Sequence, residues 1–156
     1  MTSSTIPQSR WVVAETSEVS AAAYGSFLAR EYLRLDASAF GMSMLEAKSL
    51  DPQQVFVLHA GYATVVRGHD EHRDECGNPL HVRGMLEYSH VGVFVGVEPS
   101  GIVTDDAHNV FSASGSAASI TSGRLSFALG LVGPCYSLDT ACSSALVALH
   151  ACVITL

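Results

Sequence analysis

Residues 138–150 read "LDTACSSALVALH". Leu138 ends a short strand-like run, "GPCYSLDT" (133–140), and a helical pattern begins near Ala141 with Leu146, Leu149, Val153 and Leu156 on one face. Cys142 falls at the joint, among the small residues Ala141, Ser143, Ser144 and Ala145. Such a setting puts the thiol in the first turn of a helix, where unpaired N–H groups present a partial positive charge that favours a thiolate. The small neighbours leave room for a bulky acyl group, and Asp139 can accept hydrogen bonds that fix the turn. A small cysteine filling a buried corner has the same surroundings. Spacing alone leaves both readings open. Cys135, within the strand, and Cys152, within the helix and facing its core side, read as structural.

A nucleophilic thiol needs a base within about 3 Å. His150 is eight residues further on, which the helical rise converts to about 12 Å, so it is not the partner. His59, His69, His72, His81, His90 and His108 lie in other elements, and nothing in the sequence directs any of them to Cys142.

Working outward, the elements alternate. "DPQQ" opens a helix: Asp51 suits the cap, Pro52 the first helical position, and Gln54 the third position of a capping box. Val55, Leu58, Tyr62, Val65 and Val66 carry its apolar stripe to about Arg67. Residues 68–90 are polar, contain a Gly-Asn-Pro turn signal, and read as a surface loop. "VGVFVGV" (91–97) is a continuous apolar run suited to a strand covered on both faces. Residues 98–116 read as a second loop, and "AASITSGRLSFALGL" (117–131) as a helix that tolerates Gly123 at a cost of about 1 kcal/mol. Arg124, the only basic residue of that helix, reads as a structural ion-pair or capping partner. Strands alternating with helices predict an α/β fold. Residues 1–33 are weakly patterned, and the organised domain is expected over 34–156.

Composition excludes several classes. The 156 residues are 48% hydrophobic and 15% charged, which argues against disorder. A net charge of −7 with only eight Lys+Arg leaves no basic patch for nucleic acid. No apolar run approaches the length of a spanning helix, and residues 1–10 lack a signal-peptide core. Four cysteines (76, 135, 142 and 152) without such a signal are expected to be reduced thiols of a cytoplasmic protein. His69, His72, Cys76 and His81 share one loop, but their spacing lacks a zinc-type ligand pair, and no metal site is assigned.

The wording goes further than the spacing. "GPCYSLDTACSSALVALH" (133–150) resembles the active-site segment of the β-ketoacyl synthases of fatty-acid and polyketide synthesis. "FGMSMLEAKSLDPQQ" (40–54), "VGVFVGV" and "SASGSAASITSGRLSFALGLVGP" (112–134) resemble upstream segments of that family in the same order, so the likeness spans about residues 34–152. It implies a thiolase-like fold with helices packed on mixed sheets, of which this chain would hold most of the first half-domain. It makes Cys142 the nucleophile, taking an acyl group from the phosphopantetheine thiol of an acyl carrier protein. Condensation with a carrier-bound malonyl unit would follow, with no bound cofactor.

The family's later histidines, in H-G-T-G-T and N-x-G-H motifs, and its lysine have no counterpart before Leu156. Nor does residues 1–33 contain its first strand. Val55 and His59 stand where it has arginine and glutamate. The expected partners are the carrier protein, acyl and malonyl thioesters, and a second copy pairing through about Pro134–Leu138. The chain reads as an incomplete part of a synthase, closer in wording to the polyketide type and improbable as a condensing enzyme by itself. A non-catalytic dimerisation or carrier-docking fragment, or a pseudo-enzyme, is the alternative. Strands meant to be covered by a second half would leave apolar surface open.

Overall fold

Asp51 begins the scaffold as the sequence predicts. Its carboxylate accepts the Gln53 N–H (2.8 Å), and helix α2 runs Pro52–Gly68. Gln54 does not complete a capping box. It is buried, and its amide donates to the carbonyls of Ser114 (3.0 Å) and Ala117 (3.3 Å), tying α2 to residues 114–117. The computed structural model describes residues 3–5, 24–26, 30–68, 79–101 and 109–155. The chain divides into two compact units, Met1–Arg34 and Leu35–Leu156.

The first unit contains strands β1 (Ser3–Thr5) and β2 (Tyr24–Ser26), paired antiparallel with Ser4 opposite Gly25, and a 3-10 turn at Arg30–Leu33. The second unit holds the remaining elements. These are α1 (Met44–Lys48), α2, α3 (Pro79–Leu86), β3 (Val93–Gly96), α4 (Ser112–Ser116), α5 (Thr121–Leu129), β4 (Cys135–Leu138) and α6 (Ser144–Thr155).

Strands β3 and β4 pair in parallel, Val93 with Cys135 through Gly96 with Leu138, so the chain between them is a crossover that includes α4 and α5. Alternation along β3 sends Val93 and Val95 to one face and Phe94 and Gly96 to the other. The first face packs with Leu58 of α2 and Leu125 and Leu129 of α5 in a core completed by Phe40, Leu50, Val55 and Leu86. The second face meets the start of α6, and Phe94 stacks at a tilt on Tyr136, centroids 5.5 Å apart.

Two sequence expectations change here. The span 68–90 is not all loop: Pro79 takes the first position of α3, and Arg83 donates to the Phe127 carbonyl (3.0 Å) while lying over its ring. Tertiary contact with α5 supplies what the polar sequence does not advertise. Likewise 98–116 contains α4, whose Gly115 presses on Ser49. A Cβ there would overlap the Ser49 carbonyl oxygen, and the Gly115 carbonyl accepts the Asp51 N–H (2.8 Å). Residues 69–78, with His69, His72 and Cys76, and His108 fall outside the described residues, as does Leu156.

Candidate active site

The site is built where β4 stops. Val97 donates its N–H to the Leu138 carbonyl (2.9 Å), the last rung between the strands. The chain then turns through Asp139 and Thr140 into a 3-10 turn, Ala141–Ser143, that runs directly into α6. Cys142 is in the middle of that turn with its thiol exposed. The sequence predicted the joint; the first turn is 3-10, not α.

Four polar side chains fix the turn. Asp139 accepts the Ala141 N–H on its carboxylate (3.1 Å), as the sequence suggested. Ser144 is buried. Its hydroxyl accepts the Thr140 N–H (2.8 Å) and donates to the Ala141 carbonyl (2.7 Å). Ser143 donates towards the Thr140 carbonyl (2.8 Å) and hydroxyl (2.9 Å). Ala141 itself adopts a left-handed backbone, φ 53°, a conformation that costs a non-glycine residue about 1–3 kcal/mol and persists only where its surroundings hold it.

Neighbouring elements brace the turn from both sides. Gly96 of β3 lies so close to α6 that a Cβ would meet the Ala145 nitrogen and Ser144 carbonyl carbon at 2.6 Å. From α5, the Ser122 N–H reaches the Ser137 hydroxyl of β4 (3.2 Å), and the two hydroxyls lie 3.0 Å apart. The sequence singles out Cys142 and Asp139 but not Ser144, Ser122, Ser137 or Gly96. The only signal for them was the small, hydroxyl-rich composition on both sides of the cysteine.

Arg124 takes the role read for it: buried in α5, it donates to the Glu46 carboxylate of α1 at 2.6 Å. His59, His90 and His150 are exposed on separate elements, and no side chain among the described residues hydrogen-bonds the Cys142 thiol. Cys135 is the first residue of β4 and exposed, while Cys152 is half-buried in α6. The apolar stripe of α6 read from the sequence is largely open. Leu146, Leu149 and Val153 are 60–70% exposed, and Ser144 and Ala148 are the buried positions. Among the described residues no group of three His, Cys, Asp or Glu side chains could hold a metal, and no helix is long and apolar enough to cross a membrane.

The family model "Beta-ketoacyl synthase, N-terminal domain" matches residues 1–156. The chain belongs to the β-ketoacyl synthase family. It is similar to polyketide synthase GfsB of Streptomyces halstedii, 40% identical over 138 residues, covering 83% of this chain and 2% of that protein. It is likewise 40% identical over 134 residues to pikromycin polyketide synthase component PikAII of Streptomyces venezuelae, covering 83% of this chain and 3% of that one. Among solved structures it resembles the ketosynthase from module 6 of the bacillaene synthase of Bacillus subtilis 168. That likeness has a TM-score of 0.69 at 25% identity and covers 99% of this chain and 24% of that one. This chain thus spans 2–3% of those polyketide synthases and about a quarter of the solved ketosynthase. Its α/β architecture is the thiolase-like fold that the sequence predicts. The family match takes in residues 1–33, where the wording offered no counterpart of the family's first strand.

Proposed function

We propose that this chain provides the acyl-accepting element of a polyketide-type β-ketoacyl synthase, with Cys142 as its nucleophile. The observation that carries this reading is the exposed Cys142 thiol on a left-handed, hydrogen-bonded turn between β4 and α6. In the first step the Cys142 thiol loses its proton and its sulfur attacks the carbonyl of a carrier-bound acyl thioester. The new S–C bond forms as the carrier's S–C bond breaks, and the phosphopantetheine thiol leaves with a proton. In the second, a carrier-bound malonyl thioester loses CO₂, its C2 carbanion attacks the acyl carbonyl, and the Cys142 thiolate is released and reprotonated. Groups that assist decarboxylation in the family have no matching motif in this sequence. In this reading the residues present carry acyl capture.

The partners in this reading are an acyl carrier protein and a second copy of the synthase domain. Strand β4 pairs only with β3 among the described residues, and Pro134, Cys135 and Tyr136 are exposed beside its other edge, which suits pairing through Pro134–Leu138. A cytoplasmic setting accompanies this, where the free Cys135, Cys142 and Cys152 remain reduced.

The test is intact-mass spectrometry of the chain after incubation with an acyl N-acetylcysteamine thioester. A single adduct, lost in Cys142→Ala, is the expected result. Equal labelling of the cysteines, or none, would overturn the assignment and favour the non-catalytic dimerisation or carrier-docking alternative.

A further inference from the structure

We infer that Ser144 is the positioning residue for Cys142: its buried hydroxyl holds Ala141 in the left-handed conformation that presents the thiol. This rests on the reading of Cys142 as the acyl acceptor. Three observations converge on it. The Ser144 hydroxyl accepts from Thr140 N–H at 2.8 Å and donates to the Ala141 carbonyl at 2.7 Å, so it bridges the backbone on both sides of the Thr140–Ala141 peptide. That peptide carries the unusual dihedrals of the turn, ψ 37° at Thr140 and φ 53° at Ala141, immediately before the cysteine. Ser144 also cannot move away, because it is 7% exposed and the β3 backbone at Gly96 is packed against its carbonyl.

The chemistry explains why a serine suits the place. One hydroxyl both donates and accepts, so it satisfies the Thr140 N–H and adds a second donor to the Ala141 C=O, which also accepts the Ser144 backbone N–H. Alanine at 144 would leave the Thr140 N–H unpaired and the Ala141 carbonyl with only the backbone N–H of residue 144, freeing the Ala141 backbone to relax towards ordinary φ and carry Cys142 with it. Glycine at 141 adopts positive φ without the steric cost that alanine bears. If holding that dihedral is what Ser144 does, Ala141→Gly removes the need for the hydroxyl. A general stabiliser of the helix start would not be replaced by a change three residues away.

The experiment compares the full chain with Ser144→Ala, Ala141→Gly and the double variant. Iodoacetamide alkylation and acylation by the N-acetylcysteamine thioester are followed at Cys142 by peptide mass, with exposed Cys135 as internal reference. Ser144→Ala is expected to slow Cys142 about tenfold, the equivalent of the dihedral preference it releases, while Cys135 keeps its rate. Ala141→Gly alone should stay within about twofold, and the double variant should recover the wild-type rate to about twofold. An unchanged rate in Ser144→Ala overturns the inference. So does a slow double variant, which would make Ser144 merely structural. Should Ser144→Ala fail to fold, the double variant decides alone: folded and reactive supports the inference, unfolded or slow refutes it. Alkylation reads positioning without acyl chemistry, so a chain that alkylates at Cys142 but never acylates sinks the functional reading and leaves this one standing.

Discussion

Gly96→Ala should damage the site from the strand side. The added Cβ would lie 2.6 Å from the Ala145 nitrogen and the Ser144 carbonyl carbon, and 2.8 Å from the Ser144 oxygen. Ordinary carbon contacts begin near 3.4 Å, so α6 must retreat from β3 by about 0.8 Å in an interior packed to crystal density. All three obstacles are backbone, and no rotamer change relieves them. Overpacking of this kind costs about 1–3 kcal/mol, which for a chain of this size lowers Tm by roughly 3–10 °C.

The retreating atoms belong to Ser144 and Ala145, the second and third residues after Cys142, and displacements near 1 Å cost reacting groups about 100-fold. A loss of about 10- to 100-fold in Cys142 acylation is therefore expected beside the Tm change. Calorimetry and the mass-resolved acylation rate measure the two effects on one sample. Gly123→Ala in α5 is the control: nothing lies within 4 Å of its added Cβ, and helix propensity alone should raise stability by up to about 1 kcal/mol. Wild-type Tm and rate in Gly96→Ala would refute the contact on which the positioning argument depends.

Three further outcomes are expected. Glu46→Gln should cost about 2–3 kcal/mol in urea denaturation, because Arg124, 7% exposed, loses its counter-charge; Glu46 is 21% exposed, which moderates the fully buried penalty. Little change would mean that water replaces the carboxylate. Gln54→Leu should cost about 2–3 kcal/mol by the same assay, since the Ser114 and Ala117 carbonyls lose their donor; a neutral result would show those groups satisfied another way. Ser38→Ala should raise the Asp36 carboxyl, followed by NMR titration. The Ser38 hydroxyl is the main cause holding it below its ordinary value of 3.8, with the Ala39 N–H next and the Ser38 N–H helping. A depressed folded-state value stabilises the fold above the unfolded value and loses that contribution as pH falls through the folded one. Asp36 titrating unchanged in Ser38→Ala would contradict that cause.

What the sequence disclosed follows a physical line. Asp51 and Pro52 announced α2 because caps are local chemistry, and 91–97 announced β3 because a buried strand needs a continuous apolar run. The wording singled out Cys142, and Arg124 was legible as an ion pair because a lone base in an apolar helix needs a partner. The misses were decided by distant contacts. Helix α3 depends on Arg83 meeting Phe127, α4 on Gly115 meeting Ser49, and Gln54 turned from its own helix start to carbonyls 60 residues away. For α6 the period was right and the stripe it identifies is open: periodicity says nothing about what covers an apolar stripe. Ser144 was illegible because a hydroxyl's partners depend on a turn that only the folded chain defines.

The parallel pairing of β3 with β4 also governs the order in which this protein acquires its shape. Val93 and Cys135 meet across roughly 40 intervening positions, and closing so long a loop sacrifices chain entropy before any rung of the ladder forms. The helical crossover can gather first, since α5 contacts α2 and α3 as well as both strands. The last rung, Val97 to Leu138, adjoins the turn that carries Cys142. The Cys142 thiol is thus set in place only when the slow, non-local step is complete. Destabilising β3 or β4 should therefore delay the appearance of a selectively reactive cysteine during refolding more than it delays helix formation.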